Sequence, residues 1–169
     1  ASGLFLPSAA QANPAQETLA LALKAYVERQ RLAGPLPNLA ISKAIEVQDF
    51  LMMNLAPDYG SVAGYQRDSG ADGALFSAVL LENMFTSSGA TLHRARDSNL
   101  SVELELLIRV GSKRINKAET LAAVAAQISE VLPAVEVRDQ LLVATQRFDS
   151  AALIAINGAV RYLVLGRPI

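Results

Sequence analysis

Cysteine and tryptophan are absent from this 169-residue chain, and histidine occurs once. Without cysteine there can be no disulfide, no thiolate metal site and no thiol nucleophile. A single imidazole, His93, excludes a histidine-rich metal centre and leaves one side chain that ordinarily titrates near neutrality. A charge excess is missing as well: 15 Lys and Arg stand against 16 Asp and Glu, a net charge of −1. Nucleic-acid binding, which calls for a basic face, is therefore not expected. No apolar run reaches the roughly 20 residues that cross a bilayer, so no membrane-spanning helix is expected. What remains for chemistry is carboxylate, hydroxyl, amide, lysine and arginine. Hydrophobic residues make up 51% of the chain, enough for a sizeable core, and the length suits one domain.

The N-terminus reads as a separate piece. It joins a short apolar stretch to small residues, and Ala10-Gln11-Ala12 has the A-x-A form of a signal-peptidase site. Residues 1–15 are expected to be a flexible tail or the remnant of a signal peptide. The protein is exported to the periplasm in the second case and cytoplasmic in the first. Residues 16–169 are expected to form a single domain, helical over 16–57, with mixed strands and one helix over 58–169.

Hydrophobic spacing predicts a helix over Glu17–Ala33, burying Leu19, Leu23, Tyr26 and Val27 and stopped by Gly34-Pro35-Leu36-Pro37. A second helix is expected from Ser42, as N-cap, to about Ala56, with Ala44, Val47, Gln48, Leu51 and Leu55 on one face and Pro57 as terminator. Asp58–Gly73 reads as loop with a short strand near Ser61–Tyr65, and Leu75–Leu81 as a strand. Ser101–Val110 alternates strictly, Val102, Leu104, Leu106, Ile108 and Val110 against Glu103, Glu105, Leu107 and Arg109. Asn116 and Glu119, spaced like a capping box, predict a helix burying Leu121, Val124, Ala125, Ile128 and Leu132 up to Pro133. Ala134–Val137, Leu141–Thr145 and Tyr162–Leu165 are further short strands. Helices first, then strands broken by one helix, make the fold class α+β, with N-terminal helices packed on a mixed sheet or partial barrel.

Glu103 and Glu105 are two apart on the alternating strand, so they project to one side with Cα atoms about 6.5–7 Å apart. Carboxylates so placed can grip one hard cation, which takes oxygen ligands at about 2.0–2.6 Å. Glu136 lies in the apolar run Ala134–Val137, where a lone charge is costly unless paired or metal-bound. The plainer alternative is a solvated strand face. Asp68, Asp72 and Asp97 read as turn formers.

Glu103-Leu-Glu105, a following helix and Leu132-Pro-Ala-Val-Glu136 together resemble the core of the 2-keto-4-pentenoate hydratase group in the fumarylacetoacetate hydrolase superfamily. Val62-Ala-Gly-Tyr65, Leu75-Phe76 and Ala155-Ile-Asn-Gly-Ala159 followed by Val164-Leu-Gly166 agree with it in order. The resemblance implies Mg²⁺ or Mn²⁺ on Glu103, Glu105 and Glu136, and a small 2-oxo acid, or its dienol, as substrate for hydration or decarboxylation. Gln66 and Arg67 stand where that group usually carries a catalytic lysine, and Ile156 replaces its aspartate. Gln66, Arg67 and His93 are therefore the catalytic candidates, with weakened or lost activity expected. The group's members also continue past the position of Ile169, which implies a piece of a longer protein or a shortened member. A homo-oligomer is expected. The alternative is a non-catalytic exported binding or assembly protein on the same scaffold.

Overall fold

Asn13 and Pro14 open the first helix, since the Asn13 side chain accepts a hydrogen bond from Ala15 N–H and proline suits the first helical turn. Helix α1 spans Pro14–Glu28 in a computed structural model that describes residues 13–29, 31–32, 35–93, 99–140 and 148–169. The A-x-A site, Asp97 and the strand expected over Leu141–Thr145 lie outside the described residues. The helix begins inside the stretch read as a tail, and Ala15 packs against core residues. Its buried stripe is also rotated from the expected one: Thr18, Ala22, Ala25 and Tyr26 face inward, while Val27 is 69% exposed. The small side chains of Ala22 and Ala25 let α1 lie close to its neighbours. Tyr26 then reaches across to donate to the Ile156 and Val160 carbonyls at 2.9 and 3.3 Å.

Helix α2, Ile41–Tyr59, buries Ala44, Val47, Gln48, Leu51 and Leu55 as expected, together with Met52. Ala40, not Ser42, occupies the N-cap, and Pro57 lies inside the last turn. Proline removes one helical hydrogen bond, but Gly60 N–H closes the end on Ala56 C=O at 2.9 Å.

Strand β1 runs over Val62–Ser69, longer than the sequence suggested, because it pairs antiparallel with β2, Leu75–Leu81, as a two-stranded hairpin. The second sheet has the order β3-β6-β5-β4, from Phe85–Ser87, Val160–Leu165, Ile128–Asp139 and Leu100–Val110. β3 and β6 are parallel; the other pairs are antiparallel.

The helix expected over 116–132 shrinks to α3, Leu121–Ala125, capped by Thr120, and Leu121 is 90% exposed. Ile128–Leu132 instead belongs to β5, where pairing along the whole of β4 overrides the local 3.6-residue pattern. Pro133 is tolerated in mid-strand because its missing N–H would point past the end of β6, while its carbonyl accepts from Gly166 N–H at 2.8 Å. A short helix α4, Ser150–Ala155, which no periodicity announced, is capped by Asp149 and packs on α2.

The core lies between α1, α2, α4 and the inner face of β2, around Tyr26, Leu51, Leu55, Leu81, Met84 and Ile156. The alternation of β4 is present, with its sides assigned by packing: Leu107 touches a second core cluster, whereas Val102, Leu104, Leu106, Ile108 and Val110 are 49–88% exposed. No helix among the described residues is long and apolar enough to cross a membrane. The architecture is α+β, with N-terminal helices and an open mixed sheet.

Candidate metal centre

Register brings the three glutamates together. Glu103 on β4 sits directly opposite Glu136 on β5, and Glu105 follows two residues along the same face. One carboxylate oxygen from each lies within 4.8 Å of the others. Glu136 is completely buried, Glu105 half-buried and Glu103 exposed.

β1 crosses over this face. Its even-numbered residues turn toward the acids, so Gln66 Nε2 donates to Glu136 Oε2 at 2.7 Å. Arg67 is exposed on the opposite face of β1, away from the cluster where the resemblance had set it. His93 is exposed near the end of α1, its backbone carbonyl accepting from Arg29 Nη1 at 3.1 Å. Of the three catalytic candidates, only Gln66 joins the carboxylates.

Two residues join that the sequence reading had not placed there. Asp68, taken for a turn former, lies two residues beyond Gln66 on the same face of β1, and its carboxylate accepts from Arg138 Nη2. Arg138, two residues beyond Glu136 on β5, places Nε 2.8 Å from Glu136 Oε1 and Nη2 3.8 Å from Glu103 Oε2. The period-2 rule could have found both, had β1 been read to its full length and Arg138 been scored with Glu136. Asp72, by contrast, is the turn former expected: it caps Ala74 N–H at 3.1 Å and also accepts from Ser150 Oγ at 2.7 Å.

Electrostatics follow from this packing. Burial, then the nearby charge of Glu136, push the Glu105 carboxyl above its usual range. Burial works to raise Asp68 too, but the hydrogen bonds from Arg138 and Ser69 N–H outweigh it and hold that carboxyl low. Burial works to lower Arg138, and its contacts with Glu136 and Asp68 reverse this, keeping the guanidinium charged.

A divalent cation fits these residues. Glu136 Oε1 is buried without an aligned hydrogen bond; Arg138 Nε lies 2.8 Å from it as an ion-pair contact. Gln66 Oε1 is also buried and unfilled. An all-oxygen donor set with unmatched negative charge suits Mg²⁺, Mn²⁺ or Ca²⁺. A cleft of about 380 Å³ between α1, α2 and β6, lined by Tyr26, Arg29, Asp58, Tyr59 and Tyr162 among others, does not include the glutamates.

No family model matches the chain, and no curated protein matches it. Among solved structures it is similar to 4-oxalocrotonate decarboxylase from Pseudomonas putida G7 complexed with calcium and acetate, with TM-score 0.64 and 16% identity over 94% of this chain and 65% of that one. The same enzyme complexed with magnesium and adipate gives TM-score 0.63 and 17% identity over 94% and 66%. The chain spans about two thirds of the length of these relatives. At such identity the likeness is one of fold: a partial fumarylacetoacetate hydrolase-like fold, as the sequence resemblance implied.

Proposed function

We propose that this chain is a divalent-metal-dependent lyase, of weak or lost activity, acting on small 2-oxo acids or their dienols by hydration or decarboxylation. Glu103, Glu105 and Glu136 would hold Mg²⁺ or Mn²⁺. The reading is carried by one observation: three carboxylates bring oxygens within 4.8 Å of one another, and one of them, Glu136, is fully buried with an oxygen that no aligned hydrogen bond fills. It is supported by the metal and small-acid complexes named for the structural relatives.

The cation would supply Lewis-acid polarisation of the carboxylate and 2-oxo oxygens of the substrate. Gln66 fixes the orientation of Glu136 through its amide. Arg67 and His93, lying apart from the cluster, have no part in this reading. No lysine occurs between Lys43 and Lys113, so a dedicated cationic acid on β1 is lacking. A positioned acid or base contributes about 10²–10⁴-fold, and turnover is expected to be low by that order.

The test is a hydration assay on 2-hydroxypenta-2,4-dienoate with Mg²⁺, comparing the natural chain with Gln66→Lys. Slow turnover that Gln66→Lys raises supports the reading. Fast turnover by the natural chain, abolished by Glu103→Ala, would place the proton donor elsewhere. A second reading, a non-catalytic binding or assembly protein, is favoured by Arg138, an internal cation already set among the acids. It predicts no metal-dependent binding of oxalate, a 2-oxo acid mimic.

A homo-oligomer belongs to the proposal. β4 is an open edge among the described residues, and antiparallel pairing of two copies about Leu106 would set Glu103 opposite Arg109 of the second copy, twice. Sedimentation of Arg109→Glu against the natural chain tests it, with weaker association expected. Export rests on Ala10-Gln11-Ala12; a mature form beginning at Asn13, seen by mass spectrometry from a secretion-competent host, would establish cleavage.

A further inference from the structure

Asp68, Glu103, Glu105 and Glu136 place four carboxylates around one guanidinium, that of Arg138. The Arg138 side chain is only 13% exposed and touches three of the four acids, so it is built into the cluster. Its Nε lies against Glu136 Oε1, on the buried carboxylate of the three that would hold a metal ion. Two cations on that one carboxylate would repel each other strongly at low effective dielectric.

We propose that Arg138 is a resident counter-ion of the site, and that a divalent metal binds only by displacing its guanidinium from Glu136. The inference rests on the metal reading above and adds a competition to it. Asp68 gives the displaced side chain somewhere to go. It accepts from Arg138 Nη2 from β1, a different nitrogen from the one against Glu136, so Arg138 can keep that partner while releasing Glu136. A planar guanidinium can serve two carboxylates at once; an ammonium cannot match that geometry. Without metal, Arg138 offsets the charge of Glu136 and the fold stays whole. With metal, the ion takes over that task. The site would then load more weakly than its three carboxylates alone would allow.

The experiment is calorimetric titration of the full chain with Mn²⁺ and with Mg²⁺, on the natural protein and on Arg138→Gln, paired with thermal melts with metal and with EDTA. Arg138→Gln should bind metal at least about tenfold more tightly, because the repulsive neighbour is gone. Its melting temperature should fall in EDTA and recover with metal by more than that of the natural chain, since metal replaces the lost counter-charge. Failure to fold in EDTA with recovery in Mg²⁺ supports the proposal equally. If the variant folds in neither condition, Arg138→Lys, whose ammonium cannot span Glu136 and Asp68, decides by the same titration: tighter metal binding than the natural chain supports the competition. Equal or weaker binding by the variant than by a metal-binding natural chain overturns the competition and leaves the metal reading intact. Absence of metal binding by both overturns the two together.

Discussion

Asn157 sits fully buried in the turn between α4 and β6, and its amide joins three parts of the fold. Its Oδ1 accepts from Val79 N–H at 2.7 Å and from Gln48 Nε2 at 3.0 Å, while its Nδ2 donates to Val79 C=O at 2.9 Å. Its φ is +52°, a left-handed value that asparagine tolerates better than most residues. Asn157→Ala would strand the N–H and C=O of Val79; Gln48 would keep its second bond, to Ser77 C=O at 2.9 Å. Each stranded group costs about 1–3 kcal/mol, and these lie toward the low end because Val79 is only half-buried. Left-handed strain on alanine adds about 1 kcal/mol, for a total of about 3–5 kcal/mol. Against a usual stability of about 5–15 kcal/mol that is a large fraction. At about 2–4 °C per kcal/mol for a chain of this size, the melting temperature should drop by about 6–20 °C. Asn157→Gly loses the same bonds without the strain, so it should be more stable than Asn157→Ala by about 1 kcal/mol. Thermal and denaturant melts of the three proteins measure both differences. A drop within about 3 °C for Asn157→Ala would refute the hydrogen-bond accounting, and equal stability of the two variants would refute the strain.

Acid should act on Asp68 and Glu105 in opposite directions. Asp68 is held below its ordinary value, so its stabilisation is present above the unfolded pKa of about 3.9 and lost as pH falls through the lower folded value. Asp68→Asn should flatten that limb of a melting-temperature profile below about pH 4. Glu105 is raised, so its charge opposes folding once pH climbs through the folded value; the resulting loss of stability above about pH 4.5 should shrink when Mg²⁺ is added. Arg161 donates to the Ala25 and Tyr26 carbonyls at the end of α1, both at 2.8 Å, and lies 4.3 Å from the Tyr26 ring centroid. Arg161→Met should cost about 3 kcal/mol in a denaturant melt, and Arg161→Lys should recover little of it, since one ammonium cannot reproduce the fork.

How much was legible differs from element to element. The alternation through Ser101–Val110 put Glu103 and Glu105 on one side, and the lone acid in an apolar run marked Glu136; both are properties of a local period and a local cost of burial. The inward face of α2 was readable for the same reason, because its apolar residues fall on one side of a helix of known pitch. Residues 128–132 were misread as helix, since Ile128 and Leu132 fit a helical stripe as well as a strand. The six residues of α4 were too few to show any period.

By itself, then, the sequence determined which side chains share a face, and which acids were expensive to bury. Tertiary structure alone decided which faces were covered: the alanine side of α1 turned inward, and the apolar row of β4 was left in the open. It also decided the site's membership. Asp68 and Arg138, separated by 70 residues, meet because β1 is carried across β5, and no local periodicity encodes that crossing. A period of two or 3.6 specifies direction relative to the chain; what occupies that direction is set by the packing of distant elements, and there the charges of this site find their partners.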